Sequence, residues 1–133
     1  MSVPRLLLLL GLASACGGST RLIPTGPHPP HIQDFVDVPY PPPPAQVEEI
    51  SEAHADPNCA YVSGHYEFET RRWVFHPGRW VVTPPDCYYA PPVVAWSKGG
   101  DTRLYYTPPR WYRDDAEART EALAVCAEPR ACR

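Results

Sequence analysis

Prolines decide how long any regular element of this chain can be. The 133 residues include 19 prolines, and proline pairs at 84–85, 91–92 and 108–109 divide the second half of the chain. A proline has no backbone N–H to donate to a strand ladder, so it is confined to strand ends, edges and bulges. The stretches between these pairs are rich in Tyr, Trp, Val and Phe, the residues that strands favour. The sequence therefore predicts a mainly β domain of short strands.

A hairpin is predicted for residues 61–82, with Phe68 opposite Trp73 across a short polar turn. Because strand side chains alternate, this register puts the aromatic rings of both strands on one face. Trp80 has the wrong parity for that face. A β-bulge at residues 77–78, a Pro-Gly step, would add one residue and turn Trp80 inward.

A second hairpin is predicted for residues 93–106, around a two-residue turn formed by the glycines at 99–100. The two hairpins together are expected to form one antiparallel sheet of about four strands. Beyond the sheet, Asp114 and Glu117 have the spacing of a helix N-cap and a capping box. We therefore expect a short C-terminal helix that ends near Val125.

Apart from Cys16, the chain has four cysteines, which allow three pairings. Cys59 lies just before the first strand and Cys87 just after the second, while Cys126 and Cys132 are close in sequence. We therefore expect disulfides between Cys59 and Cys87 and between Cys126 and Cys132. A zinc site is the alternative use of four cysteines, but the chain has no C-x-x-C pair.

The first sixteen residues have the pattern of a bacterial lipoprotein leader. Arg5 supplies a positive charge, residues 6–12 form an apolar run too short to cross a bilayer, and the small residues Ala13 and Ala15 precede Cys16. Cleavage before Cys16 would leave an N-terminal cysteine whose acyl chains hold the protein on a lipid bilayer. Ordinary secretion and an uncleaved membrane helix are the alternatives. We expect the body of the protein outside the cytoplasm, where disulfides persist.

A proline-rich acidic segment follows the leader. Nine prolines fall between positions 24 and 44, and the disordered or polyproline II conformation that they favour would make a spacer of about 65 Å when fully extended. Every charged side chain between Leu22 and Asn58 is acidic, whereas the body that follows is mainly basic. We expect two solvated surfaces; the alternatives are an acidic arm that folds back on the body, or a different partner for each. The chain thus divides into a signal peptide (1–15), a lipidated N-terminus and acidic linker (16–58), a β domain (59–112), and a short helix with a cysteine-containing tail (113–133).

One six-residue pattern occurs at 61–66 and again at 75–80. It consists of an aromatic residue, two further residues, a glycine, one residue and a second aromatic residue. A third copy at 106–111 has proline in place of the glycine. The pattern resembles the YXWGXW repeat of small bacterial envelope proteins and lipoproteins, and the proline-rich stretches around it resemble the myxobacterial versions, over residues 38–112. The chain departs from the repeat at Tyr66, His76 and Pro109. The resemblance implies an envelope protein built from strands, and it implies no activity.

Two histidines are candidates for a metal site. In the predicted register His65 lies directly opposite His76, on the face away from the aromatic rings. Two cross-strand imidazoles can hold a divalent metal, with His54, Glu67 or a water completing the site. Two solvent-facing histidines on a polar sheet face are the interpretation that we favour, and no cofactor is predicted.

Arginines and tryptophans interleave along the body. Flat rings beside guanidinium groups suit sugar faces and anionic polymers. The residues of this candidate ligand surface are Arg71, Trp73, Arg79, Trp80, Arg103 and Trp111. We favour the alternative that the tryptophans form the core and that arginine stems cover them.

The expected function is that of a structural or interaction module of the cell envelope. The sequence has no Ser-His-Asp pattern, nucleophile elbow or phosphate loop, so no enzyme is predicted. A module that binds peptidoglycan or another envelope glycan is the alternative. Gly17 stands where an acidic residue would favour inner-membrane retention in enteric bacteria, so we expect the outer membrane, facing the periplasm. The expected partners are the bilayer and an envelope protein or glycan, and the net charge of −3 argues against nucleic acid.

Overall fold

The computed structural model describes residues 22–50 and 54–133. The predicted signal peptide (1–15) and the lipidation site Cys16 lie outside the described residues. The fold is mainly β, as predicted, and no helix in the described ranges has the length and apolar character needed to cross a bilayer. The strands are β1 (Val36–Val38), β2 (Cys59–Val62), β3 (His65–Glu69), β4 (Arg72–His76), β5 (Arg79–Val82), β6 (Cys87–Ala90), β7 (Val93–Trp96), β8 (Leu104–Thr107) and β9 (Arg110–Arg113).

The strands form several small antiparallel sheets, not the single sheet of about four strands that the sequence predicts. β8 pairs with β1 on one side and β7 on the other, and the remaining strands form the pairs β2–β5, β3–β4 and β6–β9. Prolines stand between β4 and β5, β6 and β7, and β8 and β9. Because these residues interrupt the ladders, no strand is longer than five residues among those described.

The β3–β4 hairpin has the predicted register. Phe68 lies opposite Trp73, and His65 lies opposite His76. The turn residues Thr70 and Arg71 both have positive φ, 48° and 66°. Positive φ at both central positions is typical of two-residue hairpin turns, whose twist matches that of the strands. This local turn fixes which side chains share each face of the hairpin.

The predicted bulge at residues 77–78 is wrong. β2 and β5 continue the register of the β3–β4 hairpin, with Val62 opposite Arg79. Residues 63–64 on one strand and 77–78 on the other separate the two ladders, so neither strand has an extra residue. Pro77 has no N–H to donate, and the ladder is interrupted on both strands together. The alternation is therefore not shifted: Val81 is fully buried, whereas Trp80 is only partly buried.

The second hairpin forms between β7 and β8, as predicted, but its turn is wider. The Ser97 N–H donates to the carbonyl of Arg103 at 2.7 Å, which encloses residues 98–102. The Ser97 hydroxyl also donates to Asp101 at 2.6 Å and accepts from the Arg103 N–H at 3.2 Å. These side-chain bonds stabilise the wider loop, so the predicted two-residue turn at 99–100 is wrong.

The C-terminal helix is present but interrupted. A 3₁₀ turn spans Ala116–Ala118 and a helix, α1, spans Glu121–Ala124. Arg119 between them is extended. The cap residue of the first turn is Asp115 instead of Asp114, and its carboxylate accepts a bond from the Arg119 guanidinium at 2.6 Å and does not cap the backbone.

The proline-rich segment packs on the β domain and is not the free, disordered spacer that the sequence predicts. The Tyr89 N–H donates to the Pro24 carbonyl at 2.8 Å, and β1 adds a strand to β8. Val38 of β1 is buried, which removes apolar surface from water. The carboxylate of Asp34 pairs with the Arg110 guanidinium at 2.6 Å. The acidic arm therefore folds back on the basic body, so the expectation of two separate solvated surfaces is wrong.

Aromatic residues of β6, β8 and β9 supply much of the core. The buried residues form three clusters: Ile32, Ala90, Tyr112, Ala116 and Ala124; then Val62, Val81, Cys87, Tyr89 and Trp111; then Val38, Leu104 and Tyr106. Each cluster contains residues from distant parts of the chain, so the small sheets are held together by side-chain packing.

Two disulfides join the C-terminal tail to the strands. Cys59 is bonded to Cys132 and Cys87 to Cys126, with Cα–Cα distances of 6.2 and 6.6 Å. The predicted pairing is therefore wrong. The tail runs back along the domain, where the Cys126 N–H donates to the carbonyl of Trp111 and the Cys132 N–H to that of Trp80. This course brings each tail cysteine next to a strand cysteine.

Candidate functional site

Two tryptophans of the predicted ligand surface contribute to the core. Trp111 is only 4 % exposed. Trp73 packs edge-on against the ring of Tyr106, with ring centroids 5.0 Å apart. Arg71 is exposed and lies in the turn of the β3–β4 hairpin. Trp111 therefore presents no open ring face that a sugar could stack on, and Trp73 is only partly exposed.

The other predicted ligand residues are engaged within the chain. Trp80 packs against Tyr61, with ring centroids 5.5 Å apart. Arg79 forms an ion pair with Glu128 at 3.4 Å, and Arg103 forms one with Asp101 at 3.2 Å. The six residues therefore do not assemble into one basic aromatic surface.

The most exposed tryptophan was not among the predicted ligand residues. Trp96 is 62 % exposed, and all four residues of β7 are exposed. β7 is the outer strand of its sheet, next to β8 only. This position follows from the long-range pairing of β1 with β8, which the local sequence pattern does not reveal.

Glu48 connects the acidic segment to the two glycines of the aromatic–glycine pattern. Its carboxylate accepts hydrogen bonds from the backbone N–H groups of Gly64 and Gly78, each at 2.6 Å. The Tyr61 hydroxyl donates to the same carboxylate at 3.5 Å. Both N–H groups lie in the interruption between the two ladders, so they have no strand partner there. We call Gly64, Gly78 and Tyr61 the glycine notch.

The close approach of this carboxylate requires glycine at both positions. A Cβ on Gly64 would lie 2.6 Å from a Glu48 carboxylate oxygen, and a Cβ on Gly78 would overlap the Tyr61 hydroxyl. Neither glycine has a positive φ, so space and not backbone conformation is the reason. In the sequence Glu48 is only one member of an acidic run, because its contacts with the two glycines span 16 and 30 residues.

Replacing Glu48 by glutamine is expected to lower the free energy of unfolding by about 1 to 2 kcal/mol near neutral pH, because bonds to a charged acceptor are lost. The N–H of Gly78 is the main cause that lowers the pKa of Glu48 below its ordinary value of 4.5. A lowered folded-state pKa gives stability that is fully present above the ordinary pKa and is lost as the pH falls through the folded-state pKa. Urea unfolding at several pH values measures this contribution.

Glu49→Gln is the matched control, because Glu49 is an exposed neighbour in the same segment. We expect the acid-dependent loss of stability to be smaller in Glu48→Gln than in the wild-type protein, and unchanged in Glu49→Gln. Equal pH dependence in all three proteins would contradict the role of the carboxylate.

The polar face of the β3–β4 hairpin carries two histidines and two glutamates. Nε2 of His65 lies 3.0 Å from Oε1 of Glu67, and Nε2 of His76 lies 2.7 Å from Oε1 of Glu69. The two imidazole rings are stacked, with centroids 6.0 Å apart. The structure thus places His65 and His76 side by side, and it adds Glu69, which sequence analysis did not single out. We call these four residues the His/Glu face.

The electrostatics of this face couple His65 to Glu67. The hydrogen bond between them raises the pKa of His65 above its ordinary value of 6.5 and lowers that of Glu67 below 4.5. Burial opposes both changes and is the weaker effect. Nδ1 of His65 lies 3.1 Å from the Ser63 carbonyl oxygen, which fixes the orientation of the ring.

A cleft of about 400 Å³ opens beside the His/Glu face. Apolar side chains and charged side chains contribute to its lining, and these include Val62, Tyr89, Trp111, His65, Glu67, His76, Arg79 and Glu128. Part of the His/Glu face is therefore accessible to solutes, and the aromatic side chains of Tyr89 and Trp111 lie next to it.

A second group of metal-type side chains consists of His54, Cys59 and Cys132, whose ligand atoms lie within 4.8 Å of one another. Cys59 and Cys132 share a disulfide, so neither offers a thiolate. In the oxidised protein this group therefore cannot hold a metal. His54 also does not join His65 and His76 in a site, as the sequence suggests it could, since it packs against Trp80.

The chain matches no protein-family model, no curated protein sequence and no solved structure. The similarity to YXWGXW repeats therefore rests on the sequence pattern, and the function has to be argued from the geometry described above.

Proposed function

We propose that this protein is a non-enzymatic structural or interaction module of the bacterial cell envelope, held on a lipid bilayer through an acylated Cys16. The pair of disulfides, Cys59–Cys132 and Cys87–Cys126, is the observation that carries this proposal. Disulfides form and persist in oxidising compartments outside the cytoplasm. Small domains in those compartments depend on such bridges because their cores are small.

The packing of the acidic arm supports a structural role. Glu48 and Asp34 bind the body through the glycine notch and Arg110, and β1 completes a sheet. The acidic arm and the C-terminal tail therefore both pack on the β domain and form part of the same folded unit. A protein that is stabilised at so many points suits a scaffold or an attachment surface for an envelope protein.

The outer membrane, facing the periplasm, is the proposed location. Gly17 follows Cys16 where an acidic residue would favour retention in the inner membrane. This location is consistent with the oxidised cysteines, because the periplasm is an oxidising compartment.

A glycan-binding module remains the alternative, and the tryptophans favour it less. Binding of a sugar polymer by stacking uses several ring faces that are open to water. Among the four tryptophans, Trp96 is the only exposed one, and Trp111 is buried. This distribution supports the structural role over the glycan-binding role.

Replacing Cys16 by serine is expected to move the protein from the membrane fraction to the soluble periplasmic fraction of a Gram-negative host. Each buried methylene of an acyl chain contributes about 0.8 kcal/mol, so two or three chains hold a protein firmly on the bilayer. A protein without acyl chains has no such attachment. Cell fractionation with a density gradient, together with mass spectrometry of the N-terminal peptide, measures both the location and the acylation.

Glu49→Gln is the control, because it changes an exposed side chain and leaves the proposed anchor and both disulfides in place. We expect this variant to remain in the outer-membrane fraction. A wild-type protein that is soluble, or a Cys16→Ser protein that stays on the membrane, would contradict the proposed anchor.

A further inference from the structure

The His/Glu face concentrates four side chains with metal-binding atoms on two paired strands. His65, Glu67 and Glu69 alternate along β3, and His76 lies opposite His65 on β4. The aromatic side chains of the same hairpin point to the other face, where Tyr66 packs against Phe75 and Phe68 against Trp73. The polar face is thus on the side of the hairpin opposite these rings, and three of its side chains, those of His65, Glu67 and His76, line the cleft.

The ligand atoms are close enough for one ion. One ligand atom from each of Glu67, Glu69 and His76 lies within 4.8 Å of the others. Ligands at about 2.0 to 2.1 Å from a tetrahedral zinc ion are about 3.4 Å apart. Small changes in the partly exposed glutamate side chains therefore bring these atoms to coordination distance.

His65 supplies the fourth ligand in a fixed orientation. Its Nδ1 faces the Ser63 carbonyl oxygen at 3.1 Å, and a carbonyl oxygen can only accept. Nδ1 therefore carries a proton, and Nε2, which donates to the Glu67 carboxylate at 3.0 Å in the metal-free protein, must release its proton when it binds an ion. Metal-bound histidines commonly have this arrangement, in which the second ring nitrogen donates to a backbone carbonyl.

We infer that His65, Glu67, Glu69 and His76 form a binding site for one divalent transition-metal cation of the zinc type. Two imidazoles and two carboxylates suit zinc and its neighbours in the first transition series better than calcium or magnesium, which prefer oxygen ligands alone. Two carboxylates also match the charge of the ion. The arginines nearby, Arg72 opposite Glu69 and Arg79 in the cleft wall, form the rim of the site and supply no ligand.

The purified, oxidised and untagged protein is expected to bind one Zn²⁺ per chain in isothermal titration calorimetry. The double variant His65→Ala/His76→Ala is expected to weaken binding more than about tenfold, since half of the ligands are lost. Cobalt gives a second measurement: Co²⁺ bound by nitrogen and oxygen ligands in the wild-type protein should give a visible absorption spectrum that Zn²⁺ removes and that the double variant does not form.

The double variant His28→Ala/His31→Ala is the matched control. Both of these histidines lie outside the hairpin, near Tyr112 and Arg119, so we expect its Zn²⁺ binding to be the same as that of the wild-type protein. Glu67→Gln/Glu69→Gln keeps both imidazoles and tests whether the carboxylates bind the ion. If circular dichroism shows that the histidine variant is unfolded, this glutamine variant takes its place in the comparison. Absence of Zn²⁺ binding, or equal binding by the wild-type and hairpin variants, would overturn the inference. The result does not depend on the membrane anchor.

Discussion

Replacing Cys59 and Cys132 by serine is expected to lower the free energy of unfolding by about 3.8 kcal/mol. The two cysteines are 73 residues apart, but the Cys87–Cys126 bridge lies inside that loop and shortens the path that the outer bridge closes, and the chain-entropy relation gives this value for the shortened loop. A domain with a core of this size has little stability to spare, so the variant should be largely unfolded at 37 °C. Urea unfolding followed by near-ultraviolet circular dichroism measures the loss.

The second disulfide provides the comparison. Cys87 and Cys126 are 39 residues apart, which corresponds to about 3.9 kcal/mol, so Cys87→Ser/Cys126→Ser should lose a similar amount of stability. Peptide mapping without reduction tests the pairing directly. Recovery of a Cys59–Cys87 peptide would contradict the structure and would agree with the pairing that the sequence alone favours.

Replacing Trp111 by alanine is expected to cost about 3 to 5 kcal/mol of stability, because a large buried ring leaves a cavity. Trp111 is 4 % exposed and packs with Tyr89, at 5.3 Å between ring centroids, in the cluster that also contains Val81. Trp96→Ala is the matched control. Trp96 is 62 % exposed, so its replacement should change the free energy of unfolding by about 0.5 kcal/mol or less. Chemical denaturation of the two variants measures the difference.

The same pair of variants separates the structural role from glycan binding. A structural module should not sediment with purified peptidoglycan sacculi. If it does sediment, and if the folded Trp96→Ala protein no longer does, the exposed ring binds the glycan and the alternative is correct. Loss of stability in Trp111→Ala that is no greater than in Trp96→Ala would contradict the buried position of Trp111.

The sequence predicts local pairings well because their determinants are local. The β3–β4 register follows from alternating aromatic residues and a four-residue polar turn, and Phe68 does lie opposite Trp73. The pairing of β6 with β9 and that of β1 with β8 depend on contacts between distant segments, and short strands carry no pattern that selects a distant partner. The disulfide pairing is wrong for the same reason, since the tail reaches Cys87 and Cys59 only after it packs along β9 and β5.

The candidate site likewise has one part that follows from local sequence and another that depends on contacts between distant segments. His65 opposite His76 follows from the hairpin register, and side-chain alternation then puts Glu67 and Glu69 on their face. The bond from Glu48 to Gly64 and Gly78 could not be predicted, because it needs the proline-rich segment to lie against the ladder interruption. A carboxylate 16 residues before a glycine has no local relation to it.

The packing of the proline-rich segment also determines how far the domain can stand above a membrane. The Pro24 carbonyl is bonded to Tyr89, so the chain is part of the folded body from this residue onward. Seven residues lie between Cys16 and Pro24, so eight Cα–Cα steps join the two, and these span at most about 29 Å. With lipid on Cys16, the domain stays within that height of the bilayer, well short of the reach of a free spacer. If Cys16 is acylated as we propose, a partner that contacts the Pro24 end of the domain would meet it close to the membrane surface.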